Sequence, residues 1–207
     1  MQRTLYYKDD YVLENNRVRL SKLSHHHISE LLLCSRDERI WTYFIDKGIS
    51  DIEAYCTEAI QNNTLCREYP FVIYDKKCGE YAGMTRLYNY SKTLGHIKIG
   101  HTWIDYKHWR SGLNTNCKYL LFEFVFDYLG LERVGFGVHE SNDRSIRSLS
   151  SMGCLIEGRL RSFIPEIGSH ERKDVILFSL LKMEWLNSTK NYLNRRMLSV
   201  PHELKTT

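Results

Sequence analysis

The chain has 207 residues, which at roughly 100–200 residues per domain is enough for one full domain. Hydrophobic residues make up 43% and charged residues 26%, a balance that forms a packed core and excludes disordered and fibrous proteins. Lys and Arg number 29 against 25 Asp and Glu, and the net charge of +4 is too small for a dedicated nucleic-acid-binding surface. We therefore expect no direct nucleic-acid partner.

Cysteine spacing and the distribution of apolar residues bear on metal binding and location. The six cysteines form no C-x-x-C pair and no cluster with histidines at zinc-finger spacing, so we predict no metal site and free, reduced thiols. The N-terminus lacks the apolar segment of a secretory signal. The longest apolar-rich run, Tyr119–Leu131, carries Glu123 and Asp127, which excludes a membrane span. The sequence predicts a cytoplasmic protein with no membrane partner.

No linker, repeat or low-complexity tract divides the chain, which contains only three prolines. We interpret residues 1–16 as an N-terminal extension, residues 17–185 as one domain and residues 186–207 as a partly helical C-terminal tail. The helical interpretation of the tail depends on a weak apolar stripe of Leu186, Leu193 and Met197, and its basic residues are expected on a solvated face. The tail could also pack on a second subunit, so a homo-oligomer is an open alternative.

The first half of the chain predicts a strand at 17–23, a helix from 27 or 28 to 34, a helix at 51–62, and three further strands at 70–74, 81–90 and 96–104. Ser24 and Ser50 precede the two helices as candidate caps. Polar turns at 75–79 and 91–95 separate the last three strands, as is typical of antiparallel hairpins.

The second half begins with a polar loop and continues with two helices and three strands. A helix with the apolar stripe Leu120 to Leu129 ends at Gly130 and is followed by a strand at 133–139. A helix capped by Ser141 or Asn142 follows, and strands at 154–164 and 173–181 complete the pattern. This order predicts an α/β or α+β layered domain with a mixed sheet.

The polar loop before the first of these helices is a candidate phosphate site. In Trp109-Arg-Ser-Gly-Leu-Asn-Thr115, Gly112 permits close backbone approach, Arg110 adds charge, and Ser111 and Thr115 add hydroxyls. A strand, a glycine loop and a helix N-terminus together aim backbone N–H groups at an anion. The chain contains neither G-x-x-x-x-G-K-[ST] nor G-x-G-x-x-G, which disfavours nucleotide hydrolases and dinucleotide-binding domains.

Four stretches carry a resemblance to the GNAT superfamily of acyl-CoA-dependent N-acyltransferases, and within it to the ribosomal-protein (RimJ/RimL-like) N-terminal acetyltransferases. They are Gly100–Ile104, Trp109–Leu121, Asn142–Leu149 and Met152–Arg161, in the order that the family shows. The resemblance implies a mixed, mostly antiparallel central sheet with helices on both faces.

The resemblance also implies acetyl-CoA as the co-substrate and no metal. The CoA pyrophosphate is expected on the amides of Arg110–Thr115, with pantetheine along His101–Ile104. The acetyl thioester is expected in a gap between that strand and Val134–Val138. The residues assigned to the cofactor are Trp103, Ile104, Trp109, Arg110, Ser111, Gly112, Leu113, Asn114, Thr115 and Asn142.

The catalytic residues are less clearly marked. Leu149 occupies the position at which many family members place a tyrosine that protonates the leaving thiolate, and Ser145 is the candidate thiol-contacting donor. The general base stays open among four residues: His101, His139, Glu140 and Glu157. For His101, the alternation with Ile97, Ile99 and Trp103 favours a hydrogen-bonded core histidine, and Glu157 before Gly158 is equally typical of a bulge or turn.

The implied function is an acetyl-CoA-dependent N-acetyltransferase. It moves an acetyl group to a primary amine, either a protein N-terminal α-amine or a small-molecule amine, by direct transfer in a ternary complex. The missing tyrosine and the open base support an alternative, a catalytically inactive acyl-CoA sensor or partner-binding module on the same fold.

Overall fold

Eight strands form a single sheet in the computed structural model of the chain, which describes residues 2–44, 51–166 and 170–198. The strands are β1 (Val12–Glu14), β2 (Val18–Lys22), β3 (Glu68–Asp75), β4 (Glu80–Ser91), β5 (His96–Ile104), β6 (Arg133–His139), β7 (Leu155–Pro165) and β8 (Arg172–Leu181). Their spatial order is β1-β2-β3-β4-β5-β6-β8-β7. All neighbours pair antiparallel except β5 and β6, which are parallel. The predicted mixed, mostly antiparallel sheet is confirmed.

Helices cover both faces of this sheet. They are α1 (Ile28–Cys34), α2 (Ile52–Thr64), α3 (Leu113–Glu123), α4 (Asp143–Ser151), α5 (Lys182–Glu184) and α6 (Lys190–Leu198). Val72 packs in the core with α1 and α2, whereas its neighbours Phe71 and Ile73 pack in the core with α3, because successive strand residues point to opposite faces. Within the described ranges, no helix combines the length and hydrophobicity needed to cross a bilayer.

The N-terminal segment joins the sheet, which the sequence pattern does not predict. Strand β1 pairs with β2 from Val12↔Ser21 to Glu14↔Arg19, and Leu5 is buried in the core on the α3 face. The predicted strand at 17–23 is therefore the second strand, and the sheet begins one strand earlier.

The C-terminal segment packs against α3. Beyond α5 the chain forms a π-helical turn (Trp185–Thr189) that leads into α6. Trp185 is fully buried against Phe122 and Phe126, with ring centroids 5.9 Å away in both cases, and its indole N–H donates to Asp127. The expected stripe is therefore wrong at Leu186, which is 48% exposed. The end of the tail, from residue 199, lies outside the described residues.

The six cysteines are all free thiols, as expected. Four of them are buried: Cys34, Cys56, Cys117 and Cys154. These four thiols act as small apolar side chains, and burial raises their pKa values above the ordinary range.

Candidate active site

The central cavity opens where β5 and β6 separate. The two strands pair only from His96↔Arg133 to Lys98↔Gly135, and past these pairs their backbones diverge. The cavity between them has a volume of about 1150 Å³, and both strands contribute to its walls, with Ile99 and Phe136 next to the last pair. This gap lies at the position that the resemblance gives to the thioester.

A β-bulge at His101 shapes the β5 wall of the cavity. The β4–β5 register shifts between Met84 and Arg86, and His101 has a positive φ of 49°. Such a bulge reverses which residues face which side of the sheet. Ile97 and Ile99 accordingly pack on the α3 face, whereas Trp103 packs on the α1 and α2 face.

The expectation that His101 shares one face with Ile97, Ile99 and Trp103 is therefore wrong for Trp103. The His101 side chain is half-buried, lines the cavity and contacts the Tyr88 ring edge to face at 5.5 Å.

The N-terminus of α3 presents open backbone N–H groups to the same cavity. Gly112, the N-cap, has a left-handed φ of 82°, and Arg110 also has a positive φ of 62°. In the described part of the chain, the N–H groups of Arg110, Gly112, Asn114 and Thr115 donate to no protein acceptor. The Leu113 N–H is satisfied by Ser111 Oγ at 3.3 Å. Donors and helix dipole together form a site for an anion.

An ion network beneath the loop holds it in place. Buried Asp75 accepts from Arg17 at 2.9 Å and lies 3.0 Å from Nδ1 of His108, whose carbonyl accepts from Ser111 Oγ at 2.6 Å. Asp75, Cys78 and His108 bring potential metal ligands within 4.8 Å of one another. Because Arg17 already compensates the Asp75 carboxylate, this cluster is arranged as an anchor for the loop.

The cavity wall is strongly cationic. Its basic residues are Lys98, Arg110, Lys118, Arg144, Arg147 and Arg196, and no Asp or Glu of the described residues lines it. The Arg144 guanidinium lies over the Trp109 ring, 3.3 Å from its centroid, and burial lowers the pKa of Arg144. A wall with this charge favours a polyanionic ligand.

The structure brings most of the expected cofactor-binding residues together. Those that line the cavity are Trp103, Ile104, Trp109, Arg110, Gly112, Asn114, Thr115 and Asn142. The side chain of Leu113 is instead fully buried in the core, and the Ser111 hydroxyl is used within the loop. Asn114 Nδ2 donates to Ser148 Oγ at 3.1 Å and thereby ties α3 to α4.

The expected catalytic residues divide into two groups. Ser145, His101 and His139 line the cavity, together with buried Leu149. Glu140 and Glu157 are not among its lining residues.

Both glutamates are held in ion pairs that form across strands. Glu140 binds Arg159 and the Asp174 N–H. Glu157 sits in a bulge of β7 and binds Arg133 and Ser179, and hydrogen bonding by Arg133 lowers its pKa. The histidines are therefore better placed than the glutamates to reach a ligand in the cavity.

Five basic residues of the cavity were not assigned to the site from the sequence, and two of them, Arg196 and Lys118, are informative. Arg196 of α6 donates to the carbonyl and hydroxyl of Ser151 at 3.1 and 3.0 Å and lines the cavity, which corrects the solvated face expected for the tail. Lys118 lies inside an uninterrupted buried run of α3 from Asn116 to Phe122. Two sequence signals point to it: a lysine within such a run, and the resemblance, in which Asn114 followed by Lys118 is typical of the branch.

Asn142 caps α4, and its loss should be measurable in stability. Its Oδ1 accepts from the Ser145 N–H at 3.1 Å. We expect Asn142→Ala to cost about 1 kcal/mol in the free energy of unfolding, measured by urea denaturation. Asn142→Asp retains the capping acceptor and should cost less. Equal losses in the two variants would show that the cap contributes nothing.

Comparison with known proteins identifies the family. Residues 17–155 match the model described as "Acetyltransferase (GNAT) domain". The chain is 31% identical over 114 residues to the Bacillus subtilis protein named "Putative ribosomal N-acetyltransferase YdaF"; the match covers 55% of this chain and 59% of that relative, less than two thirds of its length.

Solved structures agree with this fold. A GCN5-related N-acetyltransferase from Brucella melitensis superposes with a TM-score of 0.82 at 25% identity, covering 92% of this chain and 86% of that one. Mycobacterium smegmatis RimJ, solved in complex with CoA-disulfide, superposes with a TM-score of 0.75 at 19% identity, covering 91% and 94%. With the family model matching more than half of its length, the chain belongs to the GNAT acetyltransferase family.

Proposed function

We propose that this protein is an acetyl-CoA-dependent N-acetyltransferase that moves the acetyl group directly to a primary amine in a ternary complex. The observation that carries the proposal is the set of open N–H groups at the α3 N-terminus, which faces a cationic cavity that no carboxylate of the described residues lines. Membership of the GNAT family supports acetyl transfer as the reaction, and the gap between β5 and β6 next to these donors supports its location.

The residues present fit acetyl-CoA, which supplies an activated acyl group when bound. The amides of Arg110–Thr115 would hold the pyrophosphate, with the nearby guanidiniums adding charge. The unpaired part of β5 offers backbone groups to the amides of pantetheine. Positioning two reactants in the gap contributes much of the rate without a dedicated triad.

This chain's own groups then have defined tasks. A backbone N–H of the β5 bulge stabilises the oxyanion. His101 or His139 accepts a proton from the amine, directly or through water. Ser145, in the first turn of α4, contacts the thiol.

The acceptor class is the finer part of the proposal. The names of YdaF and RimJ favour a protein N-terminal α-amine, and a small-molecule amine is the alternative. We place this reaction in the cytoplasm and assign it to residues 17–185.

Thermal unfolding with and without acetyl-CoA tests the cofactor first. A ligand at 100 times its Kd adds about 2.7 kcal/mol, and each kcal/mol moves the Tm of a domain this size by roughly 2–4 °C. We therefore expect a rise of several degrees. No shift at millimolar acetyl-CoA would refute the proposed function.

Thiol release with peptides that carry free or blocked α-amines then tests the reaction. Release that requires the free amine supports protein N-terminal acetylation, and release only with small amines assigns the other class. Tight binding with no transfer to any amine would favour the sensor function over the enzyme.

Ser145→Ala should lower kcat about tenfold while it leaves the Kd of acetyl-CoA within twofold. The hydroxyl would act on the leaving sulfur, so its loss affects the reaction rather than the binding of the pyrophosphate. Steady-state kinetics and calorimetry together check this. Ser150→Ala, at an exposed position of α4 that does not line the cavity, is the matched control, and an unchanged kcat in Ser145→Ala would remove Ser145 from the mechanism.

A further inference from the structure

The strongest unexplained feature of the cavity is the ammonium group of Lys118. Its residue is 5% exposed, and it lies on α3 one and a half turns after the Gly112 N-cap. Lys118 Nζ donates to Thr102 Oγ1 at 2.8 Å, on the part of β5 that has left β6. Lys118 and Thr102 both line the cavity.

Among the described residues, no carboxylate forms an ion pair with the Lys118 ammonium. The titratable groups that act on it there are the thiol of Cys117 on its own helix and the thiol of Cys154 before β7. From the sheet it contacts the hydroxyl of Thr102, which lies 2.7 Å from that of Thr85. The pKa values of both thiols are raised to about 12, so they stay neutral.

Burial also prepares this amine to exchange a proton. It lowers the pKa of Lys118 to about 8, so the group is mostly protonated at neutral pH and releases a proton readily. A buried charge without a partner is costly, and a protein retains one where a ligand or a reaction uses it.

The chemistry of the gap identifies that use. When a thioester is cleaved by an amine, negative charge collects on the leaving sulfur, which needs a proton near neutral pH. Leu149 is buried and apolar and offers no donor. The Ser145 hydroxyl can hydrogen-bond to the sulfur, but it is far less acidic than an ammonium and does not give up its proton near neutral pH. The guanidiniums of Arg110, Arg144 and Arg147 do not release protons in proteins. Lys98 lies at the last β5–β6 pair, where the strands are still joined.

We propose that Lys118 is the catalytic acid that protonates the leaving sulfur of the acyl donor. This inference rests on the proposed function. As the amine nitrogen bonds to the carbonyl carbon and the C–S bond breaks, Nζ gives its proton to the sulfur. Lys118 then regains a proton, through water, from the histidine that accepted it from the amine nitrogen. The net result moves one proton from nitrogen to sulfur and needs no further reactant.

Binding of CoA and of desulfo-CoA, which lacks the sulfur, tests this without turnover. The Lys118 ammonium hydrogen-bonds to the sulfur that it protonates, so Lys118→Met should weaken CoA binding about tenfold, while the Kd of desulfo-CoA stays within twofold. Lys173→Met, on β8 and outside the lining of the cavity, is the matched control and should change neither ligand.

Each outcome decides the matter. Equal weakening of both ligands would show that Lys118 contacts another part of CoA, and unchanged binding of both would show that it does not face the sulfur. Both results overturn the proposal. Failure of the unmodified protein to bind either ligand would instead refute the proposed function itself.

Turnover gives an independent readout. Lys118→Met should lower kcat about 100-fold, as expected for loss of a general acid, with the KM for acetyl-CoA within threefold. The unmodified protein should lose activity as pH rises past about 8, and the variant should lack this limb. A loss that appears in KM alone would assign Lys118 a binding role and contradict the proposal.

Discussion

Gly112→Asp is expected to abolish acetyl-CoA binding, whereas Gly112→Asn should retain most of it. Asn and Asp both tolerate the left-handed φ of 82° at this position and have nearly the same size. They differ in charge, and the Asp carboxylate would lie against the bound pyrophosphate. At ~4 Å and an effective dielectric constant of about 20, the repulsion is about 4 kcal/mol, close to a 1,000-fold loss of affinity.

Titration calorimetry with both variants measures this difference, and circular dichroism confirms that each is folded. Because the two side chains share their steric cost, the ratio of their Kd values isolates the charge. Added salt should narrow the ratio, since it screens the repulsion. Equal affinities would mean that no phosphate sits at the α3 N-terminus, and the expected cofactor-binding loop would be wrong.

Lys118→Met is expected to stabilise the protein at neutral pH by about 3 kcal/mol. The folded-state pKa of about 8 lies some 2.5 units below the ordinary 10.5, and each unit corresponds to about 1.36 kcal/mol. Between pH 8 and 10.5 the unfolded chain binds more protons than the folded one, so the stability of the unmodified protein rises with pH across this window. Met fills similar volume without a charge and lacks this rise.

Urea denaturation of both proteins at several pH values from 7 to 11 provides the test. The advantage of the variant should be fully present below pH 8 and should vanish above pH 10.5. Lys173→Met replaces a partly exposed lysine that pairs with Glu166 and Glu171, and it should show no such window. A Lys118→Met variant that is less stable at pH 7 would show that the ammonium contributes to folding. In that case the buried ammonium of Lys118 would not destabilise the protein, and no catalytic role would be needed to explain why the chain retains it.

The order of helices and strands was predictable because the apolar residues repeat with a period of two or 3.6 over long segments. The same periodicity fails at short or irregular elements. Strand β1 has three residues, too few for a pattern, and its pairing with β2 is decided by tertiary contact. The bulge at His101 inserts one residue into β5, and an alternation read through it assigns Trp103 to the wrong face.

The phosphate loop could be predicted because its donors are neighbours in the sequence. The rest of the site combines residues that only the fold brings together. Arg159 and Arg133 bind Glu140 and Glu157 from other parts of the sheet, so no local pattern shows that these carboxylates are already paired. Arg196 reaches the cavity from the last described helix, and its sequence surroundings are those of a solvated face.

The three-residue pairing of β5 and β6 divides the sheet into two antiparallel halves that meet along a short seam. Beyond these three pairs, β5 and β6 are each the edge strand of their half of the sheet. Their backbone donors and acceptors face the cleft there instead of a neighbouring strand. A ligand with amide groups along an extended chain can form hydrogen bonds to such an edge strand, as a further strand would. Binding then stiffens the protein, because the ligand connects the two half-sheets and limits their motion relative to each other. Amide hydrogen exchange along the separated parts of both strands should slow accordingly when the ligand is present.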